Sequence, residues 1–229
     1  MRITYITAGA GGMYCGSCIR DNALAASLTS RGHDVTLLPL YTPTRTDEAN
    51  VSQRRVFFGG ISVYLEQYVS LFRKTPWLVD RLWESPWLLR AVSGRGVQTN
   101  PAQLGALTVS VLEGTHGYQR KELDKLVHWL RDQPRPDVVD ISNSMLIAIA
   151  EPLKQVLGCP INCTLQGENI FMDGLLEPYR SRAKELILSH IPHVDSFVAV
   201  SDYYAGCMSR YLGIPGAKMR VVPLGVNVD

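Results

Sequence analysis

Apolar runs alternate with stretches of helical periodicity along most of the chain. Residues 2–8 (RITYITA) form an apolar, β-branched run ending at Gly9, which reads as a strand buried on both faces. Cys18 to Arg31 follows with helical spacing. Leu24 and Leu28 share a face, Ser17 is placed to cap the start, and Gly32 suits the stop. Val35 to Leu38 is a second strand closed by Pro39. Residues 40–60 are polar and irregular, and Ile61 to Tyr68 reads as extended. From Leu71 to Gln133 the periodicity is helical, broken near Pro86 and at Ser93-Gly94-Arg95-Gly96.

The alternation then resumes. Asp137 to Ile141 reads as a strand, and Ser144 to Leu157 as a helix ending at Gly158, with Pro152 imposing a kink or a late start. Ile161 to Leu165 and Ser196 to Val200 are strands flanking a helix from Leu175 to His190. Ser201 caps a helix running to Leu212, Gly213 stops it, and Met219 to Val222 is the last strand. The pattern predicts an α/β fold, a Rossmann-like, doubly wound, mainly parallel sheet with right-handed crossovers and a helical insertion at about 70–133. Such sheets bind ligands beyond the carboxyl ends of their strands. That rule sets Gly9 to Ser17, Gln166 to Asp173 and Ser201-Asp202 along one rim.

Composition narrows this picture only slightly. The 229 residues are 46% hydrophobic and 19% charged, ordinary for a water-soluble domain with ample core. A net charge of +2 gives no reason to expect a nucleic-acid partner. The N-terminus lacks the pattern of a signal peptide, and no apolar run approaches the roughly 20 residues that span a bilayer. Five cysteines, an odd count, point to a reducing cytoplasm rather than a disulfide framework.

The loop after the first strand, GAGGMYCGSC, carries several candidate chemistries. A dinucleotide loop needs a third glycine where Tyr14 stands, and an acid after the second strand where the chain reads Leu38-Pro39-Leu40. No G-K-[ST] follows, so a P-loop is excluded. Cys15 and Cys18 sit between a strand and a helix N-terminus, where the helix dipole favours a thiolate, so a thiol redox role is one reading. A zinc site from Cys15, Cys18, Cys159 and Cys163 is another, although Cys159 and Cys163 belong to the base and interior of a strand. Simple packing of two small side chains is a third. The fourth is a glycine loop that lets a diphosphate approach backbone N–H groups.

Three further stretches carry a resemblance. Together "GAGG…RDNALAASLTSRGHDVTLLPLY", "PDVVDISNS" and "VDSFVAVSDYYAGCMSRYLGIPGAKMRVVPLGVNVD" resemble the N-terminal, acceptor-side domain of family-4, group 1 retaining glycosyltransferases of the GT-B fold. The resemblance spans the chain apart from about residues 40–135. It implies one wall of a cleft in which a sugar passes from a nucleotide-sugar donor to an acceptor, here unidentified. The nucleotide-sugar enters as substrate, with no cofactor and no metal. It places Gly11, Gly12 and Met13 beside the donor phosphates and acceptor. Gln166, Gly167, Glu168 and Asn169 would face the sugar and acceptor, with Ser201 at the same rim. It also implies a C-terminal donor-binding domain after Asp229, without which residues 1–229 would be inactive in transfer.

The sequence departs from the family at Gln166 and Asp140, where histidines are usual, and at Leu224, where asparagine is usual. Two other readings stay open: a non-catalytic carbohydrate or regulatory binding module of the same fold, and a CxxC redox protein. Glu168 is either an acid or acceptor contact or a loop carboxylate bonded to nearby N–H groups. His33 reads as structural, and the other histidines lack ligand spacing. The stretch 72–92, with Trp77, Trp83 and Trp87 among basic residues, suits a peripheral membrane contact, but Asp80 and Glu84 interrupt its basic face and favour packing.

Overall fold

The computed structural model of the chain describes residues 1–9, 15–68 and 100–225. Six strands, β1 (Arg2–Thr7), β2 (Asp34–Pro39), β3 (Val138–Ile141), β4 (Ile161–Thr164), β5 (Ser196–Ala199) and β6 (Met219–Val221), make one all-parallel sheet ordered β2-β1-β3-β4-β5-β6. The helices are α1 (Gly16–Ser30), α2 (Gly60–Tyr68), α3 (Pro101–Leu112), α4 (Arg120–Arg131), α5 (Ala150–Leu157), α6 (Glu168–Asp173), α7 (Tyr179–His190) and α8 (Asp202–Leu212).

Strand order and handedness together decide what covers the sheet. From β2 onward through β3, β4, β5 and β6 every connection runs in one direction across the sheet, so right-handed crossovers put the intervening helices on one face. The β1–β2 step runs the other way and puts α1 on the opposite face. Register sorts the side chains accordingly. Ile6, Ile141, Cys163 and Phe197 lie in one lateral row, all fully buried, and join the main core with Leu153, Ile187 and Met208. The neighbouring row is Tyr5, Asp140, Asn162 and Ser196, and only Tyr5, beneath α1, is fully enclosed.

Several local expectations need correction. α1 begins at Gly16 with Cys15 at the N-cap position, and Ser17 provides no cap. Its buried face is Cys18, Asp21, Asn22 and Ala25, while Leu24 is exposed. Polar partners turned the helix. Thr7 and Tyr5 of β1 bond Asp21, and Asn22 holds the Ala49 carbonyl and the Val51 N–H. Residues 61–68 are helical rather than extended, because Val63 and Glu66, three apart, are both buried on one helical face. Residues 144–157 split into a 3-10 segment, Ser144–Ile149, and α5. Pro152 thus sits in the first turn of α5, where its missing N–H costs nothing, which realises the expected late start. The helix expected from Leu175 begins at Tyr179, and α6 occupies a stretch read as loop. In the insertion, α3 and α4 are interrupted at Gly114–His116. The breaks at Pro86 and 93–96, and the tryptophan-rich stretch 72–92, lie outside the described residues. Among those residues no helix is long and apolar enough to cross a membrane.

Candidate functional site

The carboxyl edge of the sheet is organised around one side chain. Glu168 opens α6, just beyond β4, and is 8% exposed. Its Oε1 accepts from the Ser144 N–H at 2.8 Å and the Ser144 hydroxyl at 3.2 Å, both beyond β3. Its Oε2 accepts from the Gln166 N–H at 2.7 Å and the Tyr204 hydroxyl at 3.1 Å, the latter on α8 beyond β5. A single carboxyl group therefore ties together the loops following three adjacent strands.

The surrounding contacts tighten the same knot. The Gln166 amide donates to the Ser142 carbonyl. Gly167 adopts φ +95°, a left-handed conformation that suits glycine, and its N–H donates to the Tyr204 oxygen at 2.6 Å. The Tyr204 proton also has Asn169 Oδ1 within reach at 3.2 Å. Ser201 caps α8 by accepting from the Tyr204 N–H at 3.2 Å, which sets Tyr204 in place. Burial and the neighbouring Glu168 push the Tyr204 phenol well above its usual range, so it stays a neutral donor. With four donors on its two oxygens, Glu168 holds these loops together.

At the end of β1, Gly9 has φ +81°, and a Cβ there would stand 2.0 Å from the Thr42 carbonyl oxygen. This glycine serves chain packing. The Leu40 and Tyr41 N–H groups complete the contact by bonding the Thr7 and Ala8 carbonyls. Below it lies a buried polar cluster. Asp21 is fully buried and accepts from Thr7 at 2.7 Å, Tyr5 at 3.1 Å and the Arg20 guanidinium. Asp140 of β3 accepts from the Thr164 hydroxyl at 3.0 Å, and burial raises its carboxyl to about 7. At the start of α1, Cys15 Sγ lies 2.9 Å from the Ser17 hydroxyl.

Of the residues singled out in the sequence, the structure brings Gln166, Gly167, Glu168, Asn169 and Ser201 to one knot on the carboxyl edge. Gly11, Gly12 and Met13 lie outside the described residues. Sequence reasoning missed Tyr204, Ser142 and Ser144. The strings DISNS and SDYY place polar groups directly after strands, which is the signal that was available. Among the described residues no three His, Cys, Asp or Glu side chains are grouped to hold a metal. Cys159 precedes β4 at the amino edge and Cys163 is buried within it, so neither joins Cys15 and Cys18. His190 Nε2 donates to the Leu112 carbonyl at 2.9 Å, a packing contact between α7 and α3.

Residues 106–229 match the family model described as Glycosyltransferase Family 4. This is more than half of the chain, and the chain belongs to that family. Its sheet, helices and order are those of the Rossmann-like N-terminal domain of the GT-B fold. Two solved structures are similar across its length. The lipopolysaccharide outer core galactosyltransferase WaaB, in its apo form, is 14% identical with a TM-score of 0.53 and covers 100% of this chain and 47% of its own. UGT89C1 of Arabidopsis thaliana, complexed with quercetin, is 17% identical with a TM-score of 0.45 and covers 98% of this chain and 50% of its own. The chain thus spans about half the length of these structures. No curated protein matches the sequence.

Proposed function

We propose that this chain forms the acceptor-side wall of a cleft in which a sugar passes, with retention, from a nucleotide-sugar to an acceptor. Family membership supports the reaction class. The observation that carries the location is the Glu168 knot, which fixes Gln166 to Asn169 on the carboxyl edge of β4 beside the N-terminus of α8. Ligands in doubly wound sheets bind beyond that edge, and helix N-termini present N–H groups and a positive dipole end there. Catalysis in this reading is electrostatic. Pre-set donors stabilise the departing nucleoside diphosphate, and Glu168 holds the acceptor loop rather than acting as a base. The nucleotide-sugar is a substrate, and Gly11 and Gly12 supply a side-chain-free approach to its phosphates. A second domain following Asp229 provides the other wall, orienting the donor and excluding water.

The test compares residues 1–229 alone with the same chain extended by a family-4 donor domain, measuring sugar transfer and nucleoside diphosphate release. Transfer is expected only from the extended protein, and Gly12→Val there should lower turnover at least about tenfold by placing a branched side chain against the phosphates. Unchanged turnover of the Gly12→Val protein removes the glycine loop from the site. Robust transfer by residues 1–229 alone overturns the two-walled reading.

A further inference from the structure

Cys15 and Cys18 are left over from the transferase reading, and their arrangement is specific. Cys15 occupies the N-cap position of the 15-residue α1, and Cys18 lies three residues on, in the first turn. Residues one helical turn apart keep their Cα atoms within the about 4.4–6.8 Å that a disulfide spans. Both thiols are free, with Cys15 partly exposed and Cys18 2% exposed. Cys15 has the Ser17 hydroxyl at 2.9 Å as a hydrogen-bond partner, with the Cys18 thiol beside it. One sulfur is thus reachable from solvent and carries donors, while the other waits behind it.

We propose that Cys15 and Cys18 form a thiol–disulfide exchange site, with Cys15 attacking low-molecular-weight disulfides and Cys18 resolving the adduct into a Cys15–Cys18 disulfide. In the first step the Cys15 thiolate attacks one sulfur of a disulfide RSSR, a Cys15–S–S–R bond forms, and RS⁻ leaves. In the second, Cys18 gives up its proton and attacks Cys15 Sγ, releasing a second RS⁻. Two electrons have then passed from the cysteine pair to RSSR; Cys18 supplies one proton and solvent the other, yielding two RSH. A reducing dithiol runs the sequence backward.

The electrostatics match these roles. The hydrogen bond from the Cys18 thiol, aided by Ser17, pulls Cys15 down to about 4. Cys18 is held well above the ordinary thiol range, first by that same bond to Cys15 and then by burial and the Cys15 charge. When Cys15 becomes part of a mixed disulfide its charge disappears, and with it two of the causes that keep Cys18 protonated. The resolving thiol is therefore released by the first step. The other buried cysteines, Cys159 and Cys163, have no such neighbour; burial raises both.

The experiment uses the full chain with glutathione disulfide as the probe, followed by intact mass, thiol counting and peptide mapping. The expected result is an intramolecular Cys15–Cys18 link, the loss of two free thiols, and reversal by dithiothreitol. Cys18→Ser should arrest the reaction with one glutathione on Cys15, and Cys15→Ser should leave Cys18 unmodified. Iodoacetamide labelling of the reduced wild-type protein gives an independent reading. Cys15 should slow less than about twofold between neutral pH and about pH 5, where an ordinary thiol slows about a hundredfold. Glutathione carried by Cys207 with Cys15 untouched, a wild-type Cys15 adduct that Cys18 never displaces, or Cys15 labelling that falls like an ordinary thiol would each overturn the proposal.

Discussion

The Tyr204 hydroxyl lies 3.1 Å from Glu168 Oε2 and at the same time receives the Gly167 N–H at 2.6 Å. The pair couples the loop beyond β4 to the helix beyond β5 through one shared oxygen. Tyr204→Phe is expected to cost about 1–2 kcal/mol in urea unfolding, because the Gly167 N–H loses its partner in a half-buried site. Glu168→Gln should cost about 2–4 kcal/mol, since an amide presents hydrogens to donors that the carboxyl group accepted. Hydrogen exchange at the Ser144 and Gln166 amides should accelerate in Glu168→Gln and stay protected in Tyr204→Phe. Equal acceleration in both variants would contradict separate roles for the two side chains.

Gly9 and Gly16 lie on either side of the glycine loop and should respond oppositely to alanine. At Gly9 the left-handed backbone and a Thr42 carbonyl 2.0 Å from the added Cβ leave no room. Gly9→Ala should therefore cost upward of about 2 kcal/mol. Nothing lies within 4 Å of a Cβ at Gly16, which opens α1. Gly16→Ala should be neutral or stabilising by about 0.5 kcal/mol. Thermal unfolding of the two variants side by side checks both signs.

Asp140 makes stability depend on pH in a stated direction. Its carboxyl sits at about 7 in the fold against an ordinary 3.8. The folded state therefore holds a proton that the unfolded chain releases between those values, and stability falls as pH rises from about 4 to about 7. Asp140→Asn keeps an acceptor for Thr164 and removes the charge. It should be more stable than the wild type by about 1–3 kcal/mol above neutral pH, allowing for the partial exposure of the site. Below about pH 4 the advantage should vanish, because Asp140 is then protonated in both states. An advantage that is independent of pH would mean that packing, not charge, sets the effect.

The Asp21–Arg20 pair gives a fourth kind of test. Asp21→Ala strands the Arg20 guanidinium and the Thr7 and Tyr5 hydroxyls around an empty site. A loss of about 3–5 kcal/mol is expected. Removing both charges in Asp21→Leu with Arg20→Met should be less damaging than Asp21→Ala alone, since no buried charge is left unpaired. Denaturant midpoints for both proteins decide it.

Local sequence was enough for the alternation of strands and helices and for the parallel sheet. Those follow from local information: β-branched runs bounded by glycine and proline, helix stops at Gly158 and Gly213, and a cap at Ser201, each of which appears in the structure. It also set Gln166 to Asp173 along one rim, because those residues directly follow a strand. The tertiary structure alone decided which face of α1 is buried. Leucines at helical spacing pointed one way, but Asp21 and Asn22 found buried partners in β1 and in residues 49–51, distant in sequence, and turned that face inward. The same holds for Glu168. Read locally it was a loop carboxylate with two plausible uses, and its role rests on Ser144, 24 residues before it, and Tyr204, 36 residues after it. Periodicity records what a residue does for its own helix or strand. A polar side chain satisfied across three loops leaves no periodic trace, because its partners are brought together only when the sheet closes.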